Sequence, residues 1–342
     1  MTRKTIVTCF PLGDSHVEKI RAVAKEDFEI IVSSQDQIPD NIFKADIFCG
    51  HAKVPVDWQA VVDAKKLQWI QSSAAGLDHC LTPPVIESDV LVSGCSGLFA
   101  PQVAEQMMAL LMGLIRRMPV FYRAQQIKEY VRRPTDDVFG KSIGIVGFGG
   151  NGQRIAKILA PMVGRILATD CFPEAGKKLV DQKIVENVFT EQELETMLPQ
   201  CDVVIVTLPL SEANEKRISD VQFEVFKAGA YLINVGRGSV VDTDSLVKFL
   251  ANGHLAGAGI DVVDPEPLPV DSKLWDMNNV VISPHVGAQS PLRIPVTIDL
   301  FCENLIRFRD GKPLLNQVDK VCLLYTSPSP RDQRGSRMPS SA

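Results

Sequence analysis

The stretch SIGIVGFGGNGQRIAKILA, residues 142–160, reads as an apolar strand that runs into a glycine loop and then into an amphipathic helix. Gly147, Gly149 and Gly152 stand in G-x-G-x-x-G spacing, with Gly150 and Asn151 completing the loop. The first glycine of such a loop allows a tight turn and the second lets backbone approach a pyrophosphate. The third brings helix and strand close, with the helix N-terminus facing the phosphates. The spacing alone recurs by chance; a strand before it and a helix after it make it a dinucleotide cradle. A second strand, RILATD, ends on Asp170, eighteen residues past Gly152. An acidic side chain there accepts hydrogen bonds from both adenosine ribose hydroxyls and repels a 2′-phosphate, so the expected cofactor is NAD rather than NADP.

Working outward, the same alternation fills the chain. TIVTCF, FEIIVS, DIFCGH, LQWIQSS and VLVSGC read as strands before residue 100, with amphipathic stretches such as DSHVEKIRAVAKE and PVDWQAVVDAKK between them. After residue 140 a second series follows: SIGIVGF, RILATD, DVVIVTLP, AYLINVG, LAGAGID and NVVISP. Strands alternating with helices predict parallel sheets covered by helices. Between the two series, APQVAEQMMALLMGLIRRMP (100–119) is apolar on nearly every face yet too short to span a bilayer, and is expected to be a buried inter-domain or subunit-contact helix. A last helical pattern, SPLRIPVTIDLFCENLIRFRDG, is too small to be a domain and must pack on something already built.

In an open parallel sheet, ligands bind beyond the carboxyl ends of the strands. The strand DVVIVTLP ends at Leu208 and Pro209, apolar walls for an adenine or nicotinamide. AYLINVG delivers Val235, Gly236 and then Arg237, which stands between two glycines. LAGAGID ends at Asp261 and leads to Glu266 in a proline-rich loop; NVVISP delivers His285, one of five histidines, followed by Gly287. One arginine, two acids and one histidine thus gather on the edge expected to hold the nicotinamide. That set suits hydride transfer to a 2-oxo acid. Negative charge grows on the carbonyl oxygen, so a proton donor is needed near neutral pH, and histidine is the natural one. A carboxylate beside it stabilises the imidazolium and selects its tautomer; Glu266 is the candidate. Arginine holds the substrate carboxylate in a charge-assisted pair and polarises the carbonyl.

Bulk composition narrows the partners. The 342 residues are 45% hydrophobic and 23% charged with a net charge of −5, a balance that favours neither nucleic acid nor an anionic membrane surface. The N-terminus lacks the apolar run of a signal peptide, and no stretch approaches the ~20 apolar residues of a membrane span. Eight cysteines contain no C-x-x-C pair, so no metal site is expected. Several lie in apparent strands, as free thiols of a reducing, cytoplasmic compartment do. Residues 321–342 turn abruptly to Ser, Pro and Arg and are expected to stay unfolded.

The motifs GFGGNG…ATD, NVGRG, GAGIDVVDPEPLP and LWDMNNVVISPHVG, in this order, resemble the D-isomer-specific 2-hydroxyacid dehydrogenases over residues 5 to 320. The resemblance implies a Rossmann-type doubly wound cofactor domain (101–286) inserted into a flavodoxin-like α/β substrate domain (1–100 with 287–320). It implies Arg237, Glu266 and His285 as the catalytic set and Asp261 against the nicotinamide amide. SAAGLDH (73–79) matches the family's substrate loop, so backbone amides at Ala74, Ala75 and Gly76 would bind the substrate carboxylate. The substrate would be a small 2-oxo or D-2-hydroxy acid such as glyoxylate or hydroxypyruvate, and the protein a homodimer built around residues 101–118. The family also holds corepressors in which the dinucleotide favours oligomerisation and catalysis is secondary, which leaves a binding module as the alternative. Asn151, Asn214 and the SGCSG stretch (93–97) depart from the family's usual residues.

Overall fold

The computed structural model describes residues 3–320 and the backbone of 324–325. The chain divides into two units: residues up to Phe99 joined by those from Ser290 onward, and Ala100–Gln289. The motifs place these joints at 101 and 286; the packing keeps the whole turn after His285, through Gln289, with the second unit.

In the first unit five parallel strands, β1 (Lys4–Cys9), β2 (Phe28–Val32), β3 (Ile47–Gly50), β4 (Trp69–Ser72) and β5 (Leu91–Ser93), lie in the order β2-β1-β3-β4-β5. That is the flavodoxin order. The helix Arg293–Arg309 brings Ile298, Phe301 and Leu305 into one apolar cluster with Ile6, Ile47 and Trp69. A buried polar network locks it there. The Asn304 amide donates to Gln71 Oε1 at 3.0 Å, Ser93 Oγ donates to the same oxygen at 2.8 Å, and Trp69 Nε1 donates to Ser93 Oγ at 2.8 Å. Each buried polar group thereby keeps a partner, without which its burial would be costly. The late helix thus completes a core begun at the N-terminus.

The second unit holds seven parallel strands: β6 (Ser142–Val146), β7 (Arg165–Asp170), β8 (Asn187–Thr190), β9 (Val203–Val206), β10 (Ala230–Asn234), β11 (Leu255–Ile260) and β12 (Val280–Ile282). Their order, β12-β11-β10-β9-β6-β7-β8, is that of a doubly wound Rossmann sheet, and it reverses between β6 and β9. The sequence pattern marks six of the seven. Edge strand β8, NVFT, has no fully buried position, so it carries no apolar run to read. The apolar helix Ala100–Ile115 packs within this unit, with Met107, Leu111 and Ile115 in one cluster with Ile143, Ile145, Val203 and Ile233. Among the described residues, no helix is long and apolar enough to cross a membrane.

Most of the expected unfolded tail, 321–342, lies outside the described residues. Leu324–Tyr325, however, form a short strand β14 paired antiparallel with β13 (Val318–Asp319), so at those two positions the expectation is corrected. Backbone pairing needs no particular side chains, which is why composition does not reveal it.

The helix Thr243–Ala251 follows the β10 turn, and Asp242 caps it by accepting from Ser245 N–H at 2.9 Å. The Lys216 ammonium, 2.9 Å away, together with that cap holds the Asp242 carboxyl below its usual range. A carboxyl depressed in the folded state supports the fold above its unfolded pKa, and that support is lost as pH falls through the lower, folded value. Asp242→Ala is therefore expected to cost about 1 kcal/mol at pH 7. The gap to wild type should narrow as the pH drops below the carboxylate range. Urea titrations at pH 7 and near 3 check this; an equal gap at both would contradict it.

Candidate active site

At the reversal point between β6 and β9, the loop after β6 turns at Gly147, whose φ of +91° is a conformation open to glycine. A Cβ on Gly152 would lie 2.3 Å from Gly147 O, so only glycine lets the helix start this close to the strand. A Cβ on Gly149 would meet nothing within 4 Å. Gly149 and Gly150 are exposed, and Asn151 is half-buried in the first turn of the ten-residue helix Gly150–Leu159. Open space over a glycine backbone and a helix N-terminus together suit a pyrophosphate.

Asp170 closes the adenosine side. Its Oδ2 accepts from Phe148 N–H at 2.6 Å and its Oδ1 from Phe172 N–H at 2.9 Å. One carboxylate thus ties the glycine loop to the end of β7, and each oxygen retains a lone pair for a further donor. Beyond β9, Leu208 is half-buried and Pro209 exposed, while Thr207 donates its hydroxyl to Gly147 O at 2.6 Å. Thr207 is a residue that the sequence motifs do not single out. The departure at Asn214 has a local use: its amide donates to Pro209 O at 3.0 Å and holds that loop.

The next three strand ends carry the polar set. Asn234, 1% exposed, accepts from Gly236 N–H at 3.0 Å and donates to Arg237 O at 2.9 Å, so it clamps the turn that presents Arg237. Val235 is buried there. Gly236 and Gly238 do not have positive φ. They are required by close approach, since Cβ atoms would meet Leu208 O at 2.6 Å and Val263 O at 1.9 Å. Arg237 is half-buried, and its Nη1 donates to Gly236 O at 2.8 Å.

Glu266 and His285, nineteen residues apart, meet. His285 Nδ1 lies 2.9 Å from Glu266 Oε1 and 3.2 Å from Oε2, with 42% and 46% of the two side chains exposed. A carboxylate on Nδ1 selects the tautomer or charge state with a proton there and turns Nε2 outward. The His285 backbone is left-handed, φ +54°, a conformation that costs a non-glycine residue roughly 1–2 kcal/mol. Its N–H donates to Asp261 O at 2.7 Å, which helps hold it there. Asp261 is 3% exposed, and its carboxylate accepts from Ser283 Oγ, Val286 N–H and Gly287 N–H at 2.6, 3.0 and 2.8 Å.

Ala74, Ala75 and Gly76 belong to the other unit, in the turn after β4. Ala74 N–H donates to Ser72 Oγ at 3.0 Å and Ala74 O accepts from Cys95 N–H at 2.9 Å. Beside them His79 Nε2 lies 3.4 Å from Ser72 Oγ, and its ring stacks on His51 with centroids 3.8 Å apart.

A family model described as "D-isomer specific 2-hydroxyacid dehydrogenase, NAD binding domain" matches residues 108–287. A curated glyoxylate reductase of Pyrococcus horikoshii is 29% identical over 84% of this chain and 89% of its own length. Among solved structures, a D-isomer specific 2-hydroxyacid dehydrogenase family protein from Aeromonas salmonicida has a TM-score of 0.79 at 28% identity, covering 93% of this chain and 100% of its own. A D-isomer specific 2-hydroxyacid dehydrogenase from Xanthobacter autotrophicus, in complex with NADPH and MES, has a TM-score of 0.76 at 25% identity, covering 94% and 99%. A doubly wound sheet with a glycine-loop cradle is the architecture of a dinucleotide-binding domain, and together with these matches it marks an NAD-dependent oxidoreductase. The chain belongs to the D-isomer specific 2-hydroxyacid dehydrogenase family, with NAD as its cofactor.

Proposed function

We propose that the protein reduces a small 2-oxo acid, of the glyoxylate or hydroxypyruvate type, to the D-2-hydroxy acid with NADH. The observation that carries this reading is the 2.9 Å contact of His285 Nδ1 with Glu266, on the strand edge that also presents Arg237. Glyoxylate reductases among the relatives support the substrate class. Gly147, Gly149, Gly150, Asn151 and Gly152 would cradle the pyrophosphate, and Asp170 the adenosine ribose. Leu208, Pro209, Val235, Gly236, Asp261 and Gly287 would line the remaining cofactor path. Bound NADH supplies the hydride.

The chain's own residues do the rest. His285 Nε2 donates a proton to the carbonyl oxygen, and Glu266 stabilises the imidazolium before transfer. Arg237 pairs with the substrate carboxylate and draws electron density toward the carbonyl oxygen. Of the turn Ala74, Ala75 and Gly76, to which the family resemblance gives the substrate carboxylate, Ala74 N–H already donates to Ser72 Oγ, which leaves that role to Ala75 and Gly76. In the reverse direction His285 takes the hydroxyl proton.

A homodimer is part of the proposal. Next to the helix Ala100–Ile115, a cavity of about 430 Å³ is lined by Met112, Met118, Pro119, Tyr122 and Val281, and Tyr122, Ile127 and Tyr130 are exposed. A cytoplasmic setting suits the six buried free thiols among the described residues, of which burial pushes Cys9, Cys95 and Cys201 up to about 12.

A panel of 2-oxo acids assayed with NADH and NADPH tests the reading. Turnover with a two- to four-carbon 2-oxo acid and a preference for NADH are expected. Asp170→Ala should weaken NADH binding by about tenfold, the loss of one or two hydrogen bonds to a charged acceptor. Tight NADH binding with no turnover on any 2-oxo acid would overturn it.

A further inference from the structure

A line of hydrogen bonds reaches the His285 turn from a helix far away in sequence. Gln106, on the helix Ala100–Ile115, donates from Nε2 to Ser283 Oγ at 2.8 Å across 177 residues. With that lone pair of Ser283 occupied, its hydroxyl hydrogen is directed to Asp261 Oδ1, 2.6 Å away. Asp261 then gathers the turn. Its carboxylate accepts from Val286 and Gly287 N–H, and its carbonyl accepts from His285 N–H. The fit is close: a Cβ on Gly287 would lie 2.8 Å from Asp261 Oδ2 and 3.8 Å from Gln106 Cβ. Three consecutive N–H groups, of residues 285–287, therefore answer to one buried carboxylic residue.

We propose that Ser283 and Gln106 are positioning residues for proton transfer, acting through Asp261 on the left-handed turn that carries His285. Removing the Ser283 hydroxyl leaves Asp261 Oδ1 with the Val286 N–H alone and strips the Gln106 amide of this acceptor. A buried carboxylate short of donors draws its remaining partners toward itself, and those partners are the backbone of the turn. The imidazole then leaves its place on Glu266. The charged groups on the segments around it, Arg237, Asp261, Asp264 and Glu266, are all retained. The inference rests on His285 being the proton donor.

The test uses the full chain with glyoxylate and NADH. Ser283→Ala is expected to lower kcat about tenfold, the order of loss that a small displacement of a catalytic group produces. NADH affinity by fluorescence titration should fall by less than kcat, because the glycine loop and Asp170 keep their hold on the rest of the cofactor while only the Asp261–Gly287 part of its path is disturbed. Ser283→Thr, which keeps the hydroxyl, should recover most of kcat, and Gln106→Leu should lose about threefold, an indirect loss of one hydrogen bond. Wild-type kcat in Ser283→Ala overturns the proposal, and wild-type kcat in Gln106→Leu overturns the part assigned to Gln106. A loss in Ser283→Ala that the threonine variant does not recover, or one that follows NADH affinity, also overturns the proposal. His285→Ala, assayed alongside, separates the two levels. If it retains wild-type kcat, the reading of His285 fails. If it is inactive while Ser283→Ala matches wild type, only the positioning inference fails.

Discussion

His285→Ala is expected to lower kcat for 2-oxo acid reduction by about a thousandfold, within the 10²–10⁴ that a positioned general acid contributes. The geometry behind this number is specific. Nδ1 faces Glu266 at 2.9 Å, so Nε2 is the nitrogen that can reach a reacting oxygen. Alanine leaves the hydride acceptor's growing negative charge to water, which is a far weaker acid than an imidazolium. NADH affinity should hardly change, because Gly147, Gly152 and Asp170 all precede β9 in the chain and keep their contacts. Glu266→Gln should cost less, about ten- to a hundredfold, since the amide can still orient the ring but no longer neutralises its charge. Steady-state kinetics with each variant check the pair. A kcat for His285→Ala within a few-fold of wild type would remove His285 from the mechanism.

For Arg237→Ala, kcat/KM should fall by about 10³- to 10⁴-fold, equivalent to roughly 4–5 kcal/mol, as expected when one half of a desolvated, hydrogen-bonded charge pair is cut away. Both parameters should suffer: KM because the carboxylate loses its partner, kcat because the carbonyl is no longer polarised. Lysine should restore only part, since a point charge cannot reproduce a planar fork. The turn is built for that side chain in this place. Asn234 clamps it on both sides, and the glycines on either side leave Arg237 as the only side chain within the three residues. An Arg237→Ala variant that retained kcat/KM within tenfold would show that the substrate carboxylate is held elsewhere.

How much of this is legible in sequence differs by element. The glycine loop, Asp170 and six strands of the second sheet are legible because each is a local pattern: a run of apolar residues, a fixed glycine spacing, an acid at a strand end. β8 is not, because a half-exposed edge strand needs no apolar run. Glycines at 236 and 238 are visible as letters, but their reason is not. It lies in the backbones of Leu208 and Val263, which pass within a methyl group's reach. Asn234 and Thr207 hold the site together through bonds to backbone atoms, and such bonds leave no residue pattern to recognise.

By itself the sequence determined two series of alternating strands and helices, the dinucleotide cradle, and the candidates Arg237, Glu266 and His285 at successive strand ends. Short-range periodicity and strand polarity suffice for those. Only the tertiary structure decided that Glu266 and His285 touch, that His285 is left-handed, and that Asp261 gathers its turn under the hold of Ser283 and Gln106. Hydrogen bonds between residues 19 to 177 positions apart depend on where the sheet order sets its strand ends and on which helix covers them. That order is a property of the folded sheet, not of any one segment of the chain.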